Sequence, residues 1–83
     1  MPQVTMFTRQ HCSLCVKAHD ALERVQAHHP FELIVIDLDT EAPPEKKAAY
    51  DLEVPVVELD GRKVMKYRVD EARLLRLLHD GGP

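Results

Sequence analysis

Phe7-Thr8-Arg9-Gln10-His11-Cys12-Ser13-Leu14-Cys15 is the stretch on which the reading of this chain turns. It holds both cysteines, and it lies where one hydrophobic pattern gives way to another. Upstream, Val4-Thr5-Met6-Phe7 reads as a short, nearly continuous apolar strand, and Thr8 to His11 as a polar turn. From Ser13 onward the apolar residues fall at Leu14, Ala18, Leu22 and Val25, the spacing of one helical face. Lys17, Asp20, Glu23 and Arg24 take the other side. Pro30 disfavours helical geometry in the residue before it, so the helix is expected to fade near His28-His29.

Working outward, Phe31 to Leu38 contains the unbroken aliphatic run Leu33-Ile34-Val35-Ile36, which predicts a parallel strand covered on both faces. Strand, amphipathic helix and strand make a right-handed βαβ unit. Thr40 to Pro44 breaks the pattern, and Pro44 suits the first turn of a short helix running to about Asp51. Val56 to Leu59 is a strand, Asp60-Gly61 a two-residue hairpin turn, and Lys63 to Tyr67 the returning antiparallel strand. Asp70 is a natural N-cap for a last helix that faces Leu74, Leu75 and Leu78 inward and stops at Gly81. The order is β-α-β-α-β-β-α, an α/β chain with a four-stranded mixed sheet and three helices. Residues 1–83 read as one domain, without repeat or linker.

Cys12 should stand at the N-terminus of the first helix, before unpaired backbone N–H groups. Those groups and the helix dipole stabilise an anion, which lowers the thiol pKa below the free value of about 8.5. Cys15, one turn deeper, is near enough to close a disulfide yet shielded by packing. The asymmetry assigns attack on a disulfide to Cys12 and resolution of the mixed disulfide to Cys15. Two other readings of the pair remain. One is a metal site, for which His11 and His19 are the nearby candidates to add ligands. The other is an inert structural pair.

The composition restricts the remaining classes. With 83 residues, 45% hydrophobic and 30% charged, the chain suits a globular domain with a modest core built from aliphatic side chains. The net charge is −3 and the cations are scattered, which argues against nucleic acid. No apolar run approaches the roughly 20 residues that span a bilayer, so no membrane partner is expected. The first strand begins at Val4, leaving no room for a signal peptide, and two cysteines are too few for a secreted disulfide scaffold. A cytoplasmic location and a monomer are the expectation. All three glycines, Gly61, Gly81 and Gly82, fall in the hairpin or the tail, so no phosphate cradle forms.

The stretch Phe7 to Cys15, the segment Val54-Pro55-Val56-Val57 and the Asp60-Gly61 hairpin together resemble the glutaredoxin family of the thioredoxin-like superfamily. The likeness spans nearly the whole chain in element order. It is closest to the short glutaredoxin-like proteins, and it implies a thioredoxin-like fold and thiol–disulfide oxidoreductase activity. It further implies that Pro55 is cis and faces the cysteines, and that the backbone of Val54 pairs with an extended substrate segment. Arg9 matches a basic family position, usually Lys, that would stabilise the thiolate and meet a carboxylate of glutathione or substrate. A solvated turn Arg is the alternative.

Two departures bear on the substrate. Ser13-Leu14 replaces the family's usual Pro-Tyr, which removes a rigid helix start and an aromatic wall. Met65 and Lys66, followed by Tyr67, Arg68 and Val69, stand near the family's Gly-Gly pair, where bulk should crowd glutathione. Both weigh against glutathione as a ligand. The expected partners are therefore protein or small-molecule disulfides, with no cofactor beyond the redox-active disulfide. Electrons would come from glutathione or, preferably, from a flavin-dependent disulfide reductase.

Other residues carry weaker signals. His11 could tune the Cys12 thiolate as a neighbouring imidazolium, or be a solvated loop residue. Leu14 is expected exposed between the cysteines as an apolar contact. His19 reads as a surface residue or a functional one. His28 and His29 mark a helix end, and His79 suits a helix C-terminus. Tyr50 and Tyr67 fit either core packing or a groove wall. Two wider alternatives stay open, a metal or iron–sulfur binding module and a non-catalytic interaction domain of the same fold.

Overall fold

The structure is a computed structural model that describes residues 1–80. The elements run β1 (Gln3–Thr8), α1 (Ser13–His28), β2 (Glu32–Asp37), α2 (Pro44–Tyr50), β3 (Val56–Leu59), β4 (Arg62–Lys66) and α3 (Glu71–His79). The strands form one sheet in the order β2-β1-β3-β4. β1 and β2 are parallel, while β1–β3 and β3–β4 are antiparallel. The expected α/β architecture is present, with its mixed four-stranded sheet and three helices. Gly81, the expected stop of α3, lies outside the described residues.

Period-two alternation along β1 divides the core between the two faces of the sheet. Val4 and Met6, with Val57 and Leu59, pack against Ala18, Leu22 and Val25 of α1 and Leu74 and Leu78 of α3. Phe7 and Val56 turn the other way, onto Leu38 and Tyr50. Two helices cover the first face and short α2 covers part of the second. That second face is therefore partly polar. Glu58, only 5% exposed, accepts bonds from Lys46 Nζ at 2.6 Å and the Tyr50 hydroxyl at 2.8 Å. Burial and the Glu58 carboxylate hold the Tyr50 hydroxyl protonated above its usual range.

Several expectations need correction. β2 is an edge strand, and Val35 is 43% exposed. A continuous aliphatic run predicted burial on both faces, but only one neighbouring strand and partial helix cover are present. The returning strand runs Arg62–Lys66 rather than Lys63 to Tyr67, because Tyr67 takes the left-handed conformation, φ 70°, and ends it. Met65 belongs to the buried core rather than to the turn beside the cysteines. The hairpin itself is as expected. Asp60 and Gly61 both have positive φ, 49° and 87°, as a two-residue turn matched to strand twist requires.

Candidate active site

β1 ends at Thr8, and four residues carry the chain to the start of α1. His11 turns it with φ 59°, and Cys12 follows in extended geometry as the N-cap. The first N–H groups of a helix have no intrahelical partner, so a cap residue normally supplies an oxygen. Here the acceptor is sulfur. Cys12 Sγ receives the Cys15 N–H at 3.1 Å. No acidic residue occupies the first turn of α1 to compete for that dipole end. Cys15 is 3% exposed and forms a disulfide with Cys12, their Cα atoms 5.2 Å apart.

Around this pair three loops meet. The β1–β3 register pairs Phe7 with Val56, so Pro55 comes level with Thr8 at the cysteine end of the sheet. The Val54–Pro55 peptide bond is cis. Pro55 is buried and Val54 half-buried, and Val54 stands outside the ladder that begins at Val56. The Tyr67 N–H donates to the Pro55 carbonyl at 2.8 Å, tying the β4–α3 turn to the proline loop.

Arg9 ties the cysteine loop to the rest. Its Nη1 donates to the Asp51 carbonyl at 2.7 Å and its Nη2 to the Asp51 carboxylate at 2.6 Å. Nε and Nη2 also hold both oxygens of Asp39, at 3.0 and 2.8 Å. Lys47 completes the cluster by donating to Asp39 and Asp51. Hydrogen bonds from Arg9 and Lys47 depress both carboxyl pKa values, Asp39 well below the usual carboxylate range, and Asp39 in turn raises that of Arg9. The donors expected to meet a substrate carboxylate are thus engaged within the chain. Read from sequence, Asp39 with Asp37 and Glu41 is a solvated strand end and Asp51 only the end of a helix, so neither is expected to hold Arg9. The i, i+4 spacing of Lys47 and Asp51 was the only local signal.

One cleft borders the disulfide, and a second begins at Leu14. The first, of about 520 Å³, opens toward the β2 edge and is lined by Arg9, His11, Cys12, Val16, His19 and Val35 among others. The second, of about 360 Å³, runs between α1 and the β4–α3 turn. Leu14 is 46% exposed, as expected of an apolar contact between the cysteines. His11 is exposed beside Cys12. His19 faces Glu23, with Nδ1 and Oε1 3.5 Å apart. Among the described residues the potential metal donors that cluster are His19, Asp20 and Glu23, and neither cysteine joins them. Tyr50 belongs to the core, whereas Tyr67 lines the second cleft. No helix among the described residues is long and apolar enough to cross a membrane.

Comparison with known proteins gives a consistent picture. Residues 3–79 match the family described as Glutaredoxin-like domain. An uncharacterized protein of Mycobacterium tuberculosis is 37% identical over 76 residues, covering 88% of this chain and 78% of that protein. A solved structural-genomics target from X. campestris is similar at 28% identity and TM-score 0.72, covering 96% of this chain and 99% of that one. A mutant thioredoxin from Halobacterium salinarum shares the fold at 23% identity and TM-score 0.69, covering 95% of this chain and 73% of that one. With its thioredoxin fold and its Cys12–Cys15 pair, the chain belongs to the glutaredoxin-like domain family.

Proposed function

We propose that the protein is a dithiol–disulfide reductase. The observation that carries this reading is the Cys15 N–H held on Cys12 Sγ at the start of α1. In the reduced chain the same N–H and the helix dipole stabilise a Cys12 thiolate. That thiolate attacks one sulfur of a substrate disulfide, forming a mixed disulfide and expelling the other sulfur as a thiolate, which takes a proton from solvent. Cys15, having lost its own proton, then attacks Cys12. The Cys12–Cys15 bond forms, the substrate sulfur leaves as the second thiolate, and two electrons have passed from chain to substrate. The burial of Cys15 supports this order of events, since an incoming disulfide reaches Cys12 first.

Val54-Pro55 serves as the docking edge. Val54 lies outside both β3 ladders, which leaves its backbone available to an extended segment of substrate. Returning the disulfide to the dithiol takes two electrons from an external donor. A flavin-dependent disulfide reductase fits better than glutathione, because the bulky Tyr67 and Arg68, which follow the stretch matching the family's Gly-Gly pair, line the cleft that begins at Leu14. A reducing compartment such as the cytoplasm suits a chain whose only cysteines form the reactive pair.

Insulin disulfide reduction with a dithiol as terminal reductant tests the proposal. Wild type should accelerate it, and Cys12→Ser should fall to the uncatalysed background. Equal rates for the two proteins would overturn it.

A further inference from the structure

We infer that the cleft between α1 and the β4–α3 turn receives the flanking segment of an acidic protein disulfide, with carboxylates seated against Lys17 and Arg68. This inference rests on the disulfide-reductase reading and names the class of substrate.

Position comes first. The cleft starts at Leu14, between the two cysteines, and continues along α1 past Lys17 to Arg24. Its opposite wall is Tyr67, Arg68 and Val69. The Tyr67 N–H bond to the Pro55 carbonyl makes that wall continuous with the Val54-Pro55 loop. A segment attached to Cys12 that passes over Leu14 enters this cleft.

Charge comes second. The chain carries a net −3, yet the cleft holds Lys17, Arg24 and Arg68 against the single carboxylate Glu71. Arg24 binds Glu71 through Nη2 at 3.0 Å, which removes that pair from the count. Asp70, next along, is turned onto the Arg73 N–H as the cap of α3. Among the described residues neither Lys17 nor Arg68 has a carboxylate within 4.0 Å. Two cations without an ion-pair partner among the described residues, lining a cleft that begins at Leu14 in a chain of net −3, are complementary to carboxylates.

Reach and shape fix the occupant more closely. Lys17 lies five residues beyond Cys12, about 7.5 Å along the helix axis and about 140° around it, a path that an extended chain covers in roughly four residues. The matching substrate carries Asp or Glu about four positions from its reactive cysteine. Leu14 and Tyr67, 46% and 45% exposed, provide apolar contact for the side chains between.

Pre-reduced full-length protein and two peptides test this. Each peptide carries its cysteine as a thiopyridyl mixed disulfide, and the two differ only in Glu or Lys at the fourth and fifth positions from that cysteine. Attack by Cys12 joins its sulfur to the peptide sulfur and expels thiopyridone, whose absorbance is followed at low ionic strength. Wild type should favour the Glu peptide by roughly fivefold, and high salt should bring the ratio toward unity. The Lys17→Glu, Arg68→Glu variant should reverse the preference. The rate ratio within each protein cancels any change in the chemistry, and the salt series on wild type stands even if that variant does not fold. Equal rates for both peptides, while uncharged dipyridyl disulfide is reduced, would overturn the acidic-substrate inference and leave the reductase reading in place. Preference for the thiopyridyl disulfide of glutathione over the Glu peptide would also overturn it. Dipyridyl disulfide consumed no faster by wild type than by Cys12→Ser would instead bring down the reductase reading itself.

Discussion

The Cys12 sulfur occupies a position that most helices give to an oxygen, and its role follows from that substitution. A serine or aspartate cap stabilises a helix and ends its part there, whereas a thiolate cap is also a nucleophile. The partner thiol is buried beneath it, so the two sulfurs are unequal before any substrate arrives. Cys15→Ser should therefore accumulate a stable mixed disulfide on Cys12, seen as a mass increase equal to the substrate thiol less two hydrogens. Single turnover should stop at that stage, and a variant that still released both substrate thiols would contradict the assignment. At this scale the sequence was informative where the cause is local. The Cys-Ser-Leu-Cys spacing and the strand-to-helix change were enough to find both cysteines. Arg9 was different, because its partners Asp39 and Asp51 lie 30 and 42 residues away, and no local pattern announces them.

At the scale of elements, the cluster of Arg9, Asp39, Lys47 and Asp51 links the cysteine loop to the end of α2 and to the loop after β2. The Asp39 and Asp51 pKa values are depressed in the folded chain, chiefly by the Arg9 hydrogen bonds. A depressed carboxyl contributes stability above its unfolded pKa, near 3.9, and loses it as pH falls through the folded value. Arg9→Met should accordingly melt at lower temperature than wild type at neutral pH. The gap should narrow as pH drops below about 4, and thermal unfolding across that range measures it. Under α2, Glu58→Ala leaves the Tyr50 hydroxyl and the Lys46 ammonium without their acceptor. It should cost about 2 kcal/mol in urea unfolding, and Glu58→Gln less, because an acceptor for the tyrosine remains.

Element types were legible from periodicity and turn chemistry, but neighbour relations were not. Leu33 to Ile36 has the apolarity of a central strand, yet the β2-β1-β3-β4 order sets it at an edge. The end of β4 escaped prediction for a similar reason. Tyr67 stops the strand through a left-handed backbone, which is tied by its N–H to the Pro55 carbonyl in another loop.

For the molecule as a whole, stability and chemistry draw on different parts of the fold. The α1–α3 face holds most of the buried side chains, while the cysteines, the proline loop and the Tyr67 turn gather at one end of the sheet. Leu74 is fully buried between α3 and the sheet. Leu74→Ala should remove about 3 kcal/mol of folding stability, a large share for a chain of this length. Below its lowered melting temperature, its rate with small disulfides should stay near wild type. The whole account depends on an ionised sulfur at the start of α1. The direct measurement is the pH dependence of alkylation of Cys12 in the reduced Cys15→Ser variant. A midpoint at or below about 7 is predicted, and a midpoint near the free-thiol value of about 8.5 would contradict it.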